Sequence, residues 1–406
     1  MRRIARLAAL LAGAALLAGP VVAQDAAPEG TVRVATFNAS LNRANAGELI
    51  AALGDPANAQ ARAIAEIIQH TAPDVILINE FDYDETGEAA RLFIENFLAV
   101  SQNGAEPWVP VAHFQAPSNT GIGTGIDLDR DGNAAGPGDA HGFGFFPGQY
   151  GMLVLSRLPI VEDEVRTFQN FLWQDMPDAR LPDDPATPAA GDYYSPEALA
   201  VLRLSSKSHW DIPVEVPGGV IHVLASHPTP PVFDGPEDRN GTRNADEVRF
   251  WLDYITPGQG DYIHDDSGIA GGLAEDAHFV IVGDQNLDPH DGDGIREMGA
   301  QLLASPRLQD PMPRSEGAPE DAIADGGKNL DHTGDPALDT ADFADAGEFD
   351  PGNMRADYVL PSAELTVVGA GVFWPVAADP LAYLLGPAGG PPTSDHHLVY
   401  VDVVIE

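Results

Sequence analysis

Short apolar runs that end abruptly in polar side chains recur along the chain. The clearest covers residues 278–286, where four consecutive apolar residues are followed by Gly283, Asp284, a glutamine and Asn286. The run predicts a buried strand, and because side chains alternate along a strand, Asp284 and Asn286 are expected on the same side. A strand can end this way in an ordinary Asp/Asn turn. Partners at other strand ends would instead indicate a binding site, since buried polar groups are costly when they bind nothing.

The same pattern predicts further strands that alternate with helices. Three of the strands are followed closely by residues able to bind a cation or a phosphate, namely Asn38, Glu80 and His227. Residues 60–70 and 245–255 have the apolar spacing of helices. This alternation predicts an α/β protein that presents a site at its strand ends. The predicted strands are residues 31–37, 75–78, 149–157, 198–204, 220–225, 279–282, 354–360 and 398–405.

The N-terminus has the pattern of a secretory signal peptide. Three arginines in the first six residues precede an Ala/Leu-rich run over residues 7–19, and a small-x-small cleavage site ends at Ala23. The apolar run is too short to span a bilayer comfortably, so a transmembrane anchor is not expected. We therefore expect residues 1–23 to be removed on export to the periplasm or the extracellular space. The chain has 0 Cys, so no disulfide framework is available to it there.

The chain is strongly acidic. Its formal net charge is −41, from 62 Asp+Glu against 21 Lys+Arg, and removal of the three N-terminal arginines would make it −44. A field of this sign repels nucleic acids at long range, so tight nucleic-acid binding is disfavoured unless local basic residues or bound cations oppose it. A solvated acidic surface suited to a salty exterior would explain the same charge without any ligand. No feature indicates a protein partner.

The domain organisation follows from composition. Residues 24–30 are predicted to form a short linker, and residues 31–406 a single domain. Three stretches rich in Gly, Pro and Asp interrupt the apolar pattern and predict long loops near 101–148, 174–197 and 305–353.

The first of these loops contains a possible calcium site. Asp127, Asp129 and Asp131 have the D-x-D-x-D-G spacing with which calcium loops begin. The twelfth position is Gly138, where an EF-hand requires a bidentate Glu, and no flanking helices are predicted. A loop stiffened by structural Ca²⁺ and a solvated Asp-rich turn both remain open interpretations.

Four other residues are candidate phosphate contacts. Lys207 is one of only two lysines and lies two positions from His209. Arg239 precedes a predicted helix, whose N-terminal end favours an anion. Tyr150 completes the set. Each residue also has an ordinary interpretation, such as a solvated lysine, a structural histidine or an arginine that offsets nearby acids.

Six short motifs occur in a fixed order along the chain. They are T-F-N at Asn38, N-E at Glu80, S-H-P at His227, G-D-x-N at 283–286, R-x-D-Y at Asp357 and S-D-H at 394–396. In this order the chain resembles the endonuclease/exonuclease/phosphatase superfamily over essentially its whole mature length. The resemblance implies a four-layer α/β/β/α sandwich, with two mostly antiparallel sheets face to face and helices outside. The absence of a G-x-S-x-G motif argues against an ordinary serine hydrolase.

The resemblance also implies a metal site. Glu80 is expected to be the principal ligand of Mg²⁺ or Mn²⁺, with Asn38 close to it. Asp284, Asn286 and Asp395 are expected to complete the metal or phosphate site. Such a cation would neutralise charge on the phosphoryl oxygens during hydrolysis of a phosphoester.

Histidines are the implied proton carriers. The resemblance assigns His396 as the general base on the attacking water, with Asp357 or Asp395 orienting its ring. His227 is expected to bind the phosphoryl group or to protonate the leaving group. Imidazole suits these tasks because its charge state is easily tuned near neutral pH.

The function expected from these residues is hydrolysis of small phosphorylated substrates by a secreted phosphodiesterase or phosphatase. One alternative is an extracellular DNase-type endonuclease, which the charge disfavours. Another is a sphingomyelinase-like lipid phosphodiesterase, for which Phe143, Phe145 and Phe146 could form an exposed apolar hairpin. A catalytically inactive binding protein is the remaining alternative.

Overall fold

The computed structural model describes residues 30–347, 350–386 and 393–405. The predicted signal peptide and nearly all of the predicted linker lie outside these ranges, so both remain predictions. No helix within the described ranges is both long and apolar enough to cross a membrane.

The strands are β1 Val32–Asn38, β2 Val75–Asn79, β3 Ala112–Phe114, β4 Met152–Ser156, β5 Arg166–Thr167, β6 His209–Val216, β7 Gly219–Ser226, β8 His278–Asp284, β9 Ala341–Asp342, β10 Asn353–Met354, β11 Asp357–Pro361, β12 Thr366–Val372 and β13 Val399–Val404. The α-helices are α1 Glu48–Leu53, α2 Ala59–Thr71, α3 Glu88–Phe93, α4 Pro196–Leu199, α5 Arg239–Ile255, α6 Arg296–Leu303 and α7 Gly317–Asp325, and a π-helical turn, Ile94–Leu98, extends α3.

Two sheets dominate the described chain. The first has the strand order β12-β13-β1-β2-β4-β3 and the second has the order β11-β8-β7-β6-β5, while β9 and β10 form a separate short ladder. The pairs β1–β2 and β7–β8 are parallel, and the other neighbouring strands in both sheets are antiparallel. The expected pair of mostly antiparallel sheets is therefore confirmed.

The alternation of side chains along each strand creates three apolar layers. Val34 of β1 and Val280 of β8 lie in the core between the sheets. Their neighbours Ala35 and Ile281 point to the opposite faces, where α1–α3 cover the first sheet and α5 and α6 cover the second. This arrangement confirms the predicted α/β/β/α layers.

The topology also explains why polar residues gather at one edge. Parallel strands end on the same side, so β1 brings Asn38 beside the end of β2, and β7 ends beside β8. Antiparallel neighbours contribute their N-terminal ends to the same edge. Asp357 at the start of β11 pairs directly with Asp284 at the end of β8, and His396 precedes the start of β13.

Several elements differ from the sequence predictions, and no predicted strand covers β6 or β12. The predicted strand over residues 198–204 is wrong, because Ser195 caps a short helix that begins with a proline at its first position. Helix α5 begins at Arg239, six residues before its predicted start. The predicted loop near 305–353 contains α7 and β9. Its Gly, Pro and Asp content obscured the helical segment in the sequence.

A buried ion pair fastens β13 to β1. Arg33 and Asp402 face each other in the strand register, and two guanidinium nitrogens donate to the carboxylate over 2.7 and 2.8 Å. A third nitrogen donates to the carbonyl of Thr71 over 2.7 Å, and the guanidinium lies 4.2 Å above the ring of Tyr400. Both charged residues are only 3% exposed. The pair therefore fixes the strand that ends in Asn38 against the strand that follows His396.

We expect Asp402→Ala to lower the free energy of unfolding by ~3–5 kcal/mol, because it leaves a buried guanidinium without its carboxylate. Urea denaturation measures the loss. The double variant Arg33→Met with Asp402→Leu should cost less, since it removes both charges. Glu88→Ala, which breaks an exposed pair with Arg91, serves as the control and should change stability little. Equal losses for Asp402→Ala and Glu88→Ala would contradict the assignment.

Candidate functional site

The residues predicted from the six motifs converge where the two sheets meet. Asp284 is their common contact and is 1% exposed. Its Oδ2 accepts a hydrogen bond from Nδ2 of Asn38 over 3.1 Å and lies 3.4 Å from Nε2 of His227 and 3.6 Å from Nε2 of His396. Its Oδ1 accepts the main-chain N–H of Asn286 over 2.9 Å. One carboxylate thus joins residues from four separate motifs.

Backbone geometry explains the glycine and the asparagine of the G-D-x-N motif. A Cβ on Gly283 would lie 2.0 Å from the carbonyl oxygen of Ser226 on β7, so this position requires glycine. Asn286 has a φ of 50°, and its side chain donates to the carbonyl of Pro228 over 3.1 Å. The motif therefore turns the chain sharply at the end of β8 and holds Asp284 in place.

His396 and Asp357 form a buried hydrogen-bonded pair. Nδ1 of His396 lies 2.8 Å from Oδ2 of Asp357, and the hydroxyl of Thr340 donates to the same oxygen over 2.8 Å. Of the two carboxylates suggested to orient this imidazole, Asp357 makes the contact. Asp395 instead accepts a hydrogen bond from the hydroxyl of Ser40 over 2.9 Å.

Glu80 and Asp395 form the acidic side of the site. The pKa of Glu80 is raised by burial first and then by the negative charge of Asp395, while the side chain of Asn38 hydrogen-bonds to it. Among the described residues, neither carboxylate forms an ion pair with a lysine or arginine. Glu80 also has a φ of 59°, a left-handed conformation that costs ~1–3 kcal/mol for a residue other than glycine. Two repelling carboxylates beside an amide side chain fit a hard divalent cation.

A second set of groups, Asp284, Asp357 and His396, brings possible ligand atoms within 4.8 Å of one another. The Nδ1 of His396 is already bonded to Asp357, and its Nε2 faces Asp284. We therefore assign these three groups to a proton-holding network, and Glu80 with Asn38 and Asp395 to the possible metal position.

The pKa values of the two histidines are shifted in opposite directions. Burial lowers the pKa of His227 well below 6.5, and the charges of Lys207 and His396 lower it further. Burial also disfavours the charged form of His396, but Asp357 and Asp284 outweigh it and raise the pKa well above 6.5. The pKa of Asp284 is raised, mainly by burial. The surroundings thus favour a neutral imidazole at His227 and an imidazolium at His396, on either side of Asp284.

Three of the four candidate phosphate contacts line a cavity beside these groups. Lys207, Tyr150 and Arg239 lie in its wall together with Glu80 and His227. Lys207 is 6% exposed, and burial lowers its pKa. Arg239 forms an ion pair with Glu237.

The placement of His209 contradicts its prediction as a phosphate contact. The residue is fully buried, and its ring nitrogens lie 2.6 Å from the hydroxyl of Ser205 and 2.9 Å from the carbonyl of Glu247. Phe250 and Trp251 pack against the ring. Both nitrogens are occupied, so His209 is a structural residue.

The Asp-rich loop has a different membership from the predicted one. Asp127 and Asp129 lie near Asp139 rather than Asp131, with carboxylate oxygens within 4.8 Å of one another. The carboxylate of Asp131 instead accepts the N–H of Asn133 over 2.7 Å. This is a local hydrogen bond within the same loop. Calcium binding in this loop remains a prediction.

The sequence analysis missed the residues that support the site. The hydroxyl of Thr340 accepts the N–H of Asp357 over 2.9 Å in addition to holding its carboxylate. Ser394 donates to the carbonyl of Asn38 over 2.7 Å and accepts the N–H of His396 over 3.1 Å. Asn79 accepts the N–H of Asp284 over 3.2 Å. Ser394 and Asn79 lie inside two of the motifs, but no local pattern singled out Thr340.

The fold and the site define a class of α/β sandwich proteins in which acidic, amide and imidazole groups meet at the strand ends of two facing sheets. The particular family follows from comparison with known proteins. A family model described as Endonuclease/Exonuclease/phosphatase family matches residues 35–396, and the chain belongs to this family. No curated protein matches the chain significantly.

Several solved structures are similar to the chain. An endonuclease/exonuclease/phosphatase from Beutenbergia cavernae DSM 12333 is 18% identical, with a TM-score of 0.49, over 93% of this chain and 72% of that chain. A family protein from Leptotrichia buccalis C-1013-b is 14% identical, with a TM-score of 0.45, over 92% and 99%. Sphingomyelinase C from Streptomyces griseocarneus is 14% identical, with a TM-score of 0.41, over 92% and 99%.

The Asp357–His396 pair predicts an unusual titration. In metal-free protein, Asp357→Asn should lower the pKa of His396, because it removes the largest influence that favours the imidazolium while burial continues to oppose it. Asp395→Asn should lower this pKa less, because Asp395 has the weakest of the influences named. NMR titration of the imidazole signals in EDTA measures both values, with His396→Ala used to assign the resonance. Equal decreases in the two variants would contradict the assigned pairing.

Proposed function

We propose that the chain is a secreted, divalent-metal-dependent hydrolase of small phosphoesters. The observation that carries the proposal is the convergence of Glu80 and Asn38, on the acidic side of the site, with two histidines that flank Asp284. Secretion rests on the signal-peptide pattern of residues 1–23. Family membership supports phosphoester hydrolysis as the reaction class.

Glu80, Asn38 and Asp395 would hold the metal. Their oxygen atoms suit Mg²⁺ or Mn²⁺, which prefer hard ligands. A bound ion of this kind supplies charge neutralisation at the phosphoryl oxygens and lowers the pKa of a water molecule. Asn38 also donates to Asp284 over 3.1 Å, so it links the metal position to the proton-holding network.

We propose roles for the histidines that differ from those the resemblance implies. The resemblance assigns His396 as the general base, whereas Asp357 and Asp284 favour its imidazolium, which donates a proton and does not accept one. We assign His396 to a phosphoryl oxygen, where its positive charge is favourable. Asp284, whose pKa burial raises, is the better base for water, and neutral His227 can donate its Nε2–H to the substrate. Asp357 keeps His396 oriented and charged.

The shape of the site supports a small substrate. Glu80 and His227 line a cavity of about 460 Å³, a volume that a small organic molecule can fill. A DNase-type endonuclease would need a basic groove, and the net charge of −41 opposes one. Phe143 and Phe145, the exposed aromatics expected of a lipid phosphodiesterase, are 55% and 66% exposed. Phe143 also lines the cavity, so it can contact a small substrate as well as a membrane.

Hydrolysis assays on purified protein test the proposal. We expect Mg²⁺- or Mn²⁺-dependent cleavage of bis(p-nitrophenyl) phosphate or p-nitrophenyl phosphate, abolished by EDTA. His396→Ala and Asp284→Asn should each lower kcat by ~100-fold or more, because they remove a charged group that contacts the reacting phosphoryl or water. Glu275→Gln, an exposed site just before β8 and therefore at the end of this strand opposite Asp284, is the matched control and should retain activity.

The alternatives make different predictions in the same assay. Cleavage of DNA without cleavage of small phosphoesters would favour an endonuclease, and cleavage of sphingomyelin alone would favour a lipid phosphodiesterase. Absence of hydrolysis on every substrate and metal would favour an inactive binding protein. Activity that survives EDTA would refute the metal requirement.

Metal binding should also be visible without turnover. Mg²⁺ or Mn²⁺ should raise the melting temperature of the wild type, since a ligand at about 100 times its Kd stabilises the native state by ~2.7 kcal/mol. Glu80→Gln should lose this increase, while Glu275→Gln should keep it. In EDTA, Glu80→Gln should be at least as stable as the wild type, because it removes the repulsion between Glu80 and Asp395. Retention of the full metal-induced increase in Glu80→Gln would contradict the assigned position.

A further inference from the structure

The cavity beside the candidate site has both apolar and cationic walls. Arg239 and Arg243 from α5 line it together with Lys207, and Glu80 and Asp129 are the carboxylates in the same wall. Its volume of about 460 Å³ can take a small organic molecule. The apolar part of the wall consists of Leu128, Ala140, Phe143, Leu202, Val232 and Phe233.

Two of the three cations in this wall are not in direct ion pairs. Arg239 forms an ion pair with Glu237. Within the described part of the chain, no carboxylate forms an ion pair with Arg243 or Lys207. Arg243 is held in place by main-chain carbonyls, with Nε donating to Leu204 over 2.8 Å and Nη2 donating to residues 203 and 141. Its Nη1 makes no hydrogen bond to a described residue, and the guanidinium keeps its full charge.

Carboxylates act on these cations from beyond ion-pair distance. Glu247 acts on both, with its two oxygens accepting the N–H groups of Ser206 and Thr229 over 2.6 Å each, and Glu80 and Asp284 act on Lys207 as well. Arg243 is also one of the charges that lower the pKa of Lys207, after burial. Two cations that repel each other across a cavity are costly in a chain with 62 acidic residues available for pairing. An anion from outside the chain would relieve the cost.

We propose that the cavity binds a substrate with two anionic groups, a phosphoester whose organic part carries a second phosphate or a carboxylate. This inference rests on the proposed function, since the first anionic group is the phosphoryl group that is hydrolysed. Lys207, which interacts with Glu80 and Asp284, contacts that group. Arg243 binds the second anion through Nη1, and the apolar wall contacts the body between them. Arg243 is therefore a specificity residue.

The same wall disfavours other phosphodiesters. A phosphocholine group carries a quaternary ammonium, which binds to aromatic faces such as those in this wall, but the positive charges of Lys207 and Arg243 in the same wall would repel it. A neutral alkyl or aryl group fills the apolar wall but leaves Arg243 unpaired. The cavity thus favours a second negative charge over a neutral or positive one.

Matched substrates test the proposal on the wild-type protein. One pair is thymidine 5′-(p-nitrophenyl phosphate) with and without a 3′-phosphate. The other is phenyl phosphate and 4-carboxyphenyl phosphate, with 4-carbamoylphenyl phosphate as the neutral control. We expect the member with the second anion to have a KM lower by ~10-fold or more in at least one pair, as a charge-assisted contact provides. The pair with the larger ratio of KM values shows whether the second anion is better provided by a phosphate or by a carboxylate.

Variants of Arg243 separate recognition from structural support. Arg243→Met should raise KM for the doubly anionic substrate by ~10-fold or more and change kcat little, while the singly anionic partner is unaffected. Arg243→Lys should restore part of the difference. Arg249→Met, on the same helix but paired with Asp253, is the matched control. A loss of kcat on both members would indicate a structural role for Arg243 and would overturn the proposal.

Binding without turnover distinguishes this inference from the proposed function. The melting temperature in EDTA should rise more with thymidine 3′,5′-bisphosphate than with thymidine 5′-monophosphate, and Arg243→Met should abolish the difference. If the second anion is a carboxylate, the melting temperature should instead rise more with 4-carboxyphenyl phosphate than with phenyl phosphate. Selective binding without hydrolysis would support the anion site and contradict the proposed function. Hydrolysis with no preference in either pair of substrates, or an unselective melting response, would overturn the anion site.

Discussion

The carboxylate of Asp284 is the contact on which the site depends. It is held by the pairing of β8 with β11, by the N–H of Asn286 and by the amide of Asn38 from the facing sheet. Burial raises the pKa of Asp284 to about 7, while His396 and the donors of Asn38 and Asn286 act in the opposite direction. These contacts tie the two sheets together at the point where substrate would bind.

Much of this arrangement could be predicted from the sequence, because the motifs lie at strand ends and the strands are apolar. Pattern and resemblance predict that the polar residues at the strand ends gather at one edge, and the structure brings them together there. These residues are Asn38, Glu80, His227, Asp284, Asp395 and His396. The charge states could not be predicted, since they arise from burial and from neighbours far apart in the chain. His209 illustrates the limit: its sequence position beside Lys207 suggested phosphate contact, yet the β6 strand points its ring into the core of aromatic residues.

The site also concentrates conformational and electrostatic strain. Glu80, Tyr150 and Asn286 all have positive φ, although none is glycine. Glu80 additionally faces a second carboxylate, and Lys207 faces a second cation. Such features lower stability and persist only where the surrounding fold enforces them. Buried interactions elsewhere, such as the Arg33–Asp402 pair between β1 and β13, hold the strands that impose this geometry.

The acidic surface and the cationic cavity act over different distances. In 0.15 M salt, interactions between exposed charges fade beyond ~8 Å, whereas buried charges are screened much less. An anionic substrate would therefore be repelled by the −41 chain mainly at low ionic strength, and near the cavity it would meet Lys207 and Arg243 at short range. Recognition then depends on contacts inside the cavity and not on long-range attraction. A compact molecule with two anionic groups satisfies this requirement better than a long polyanion, most of whose charges would remain over the acidic surface.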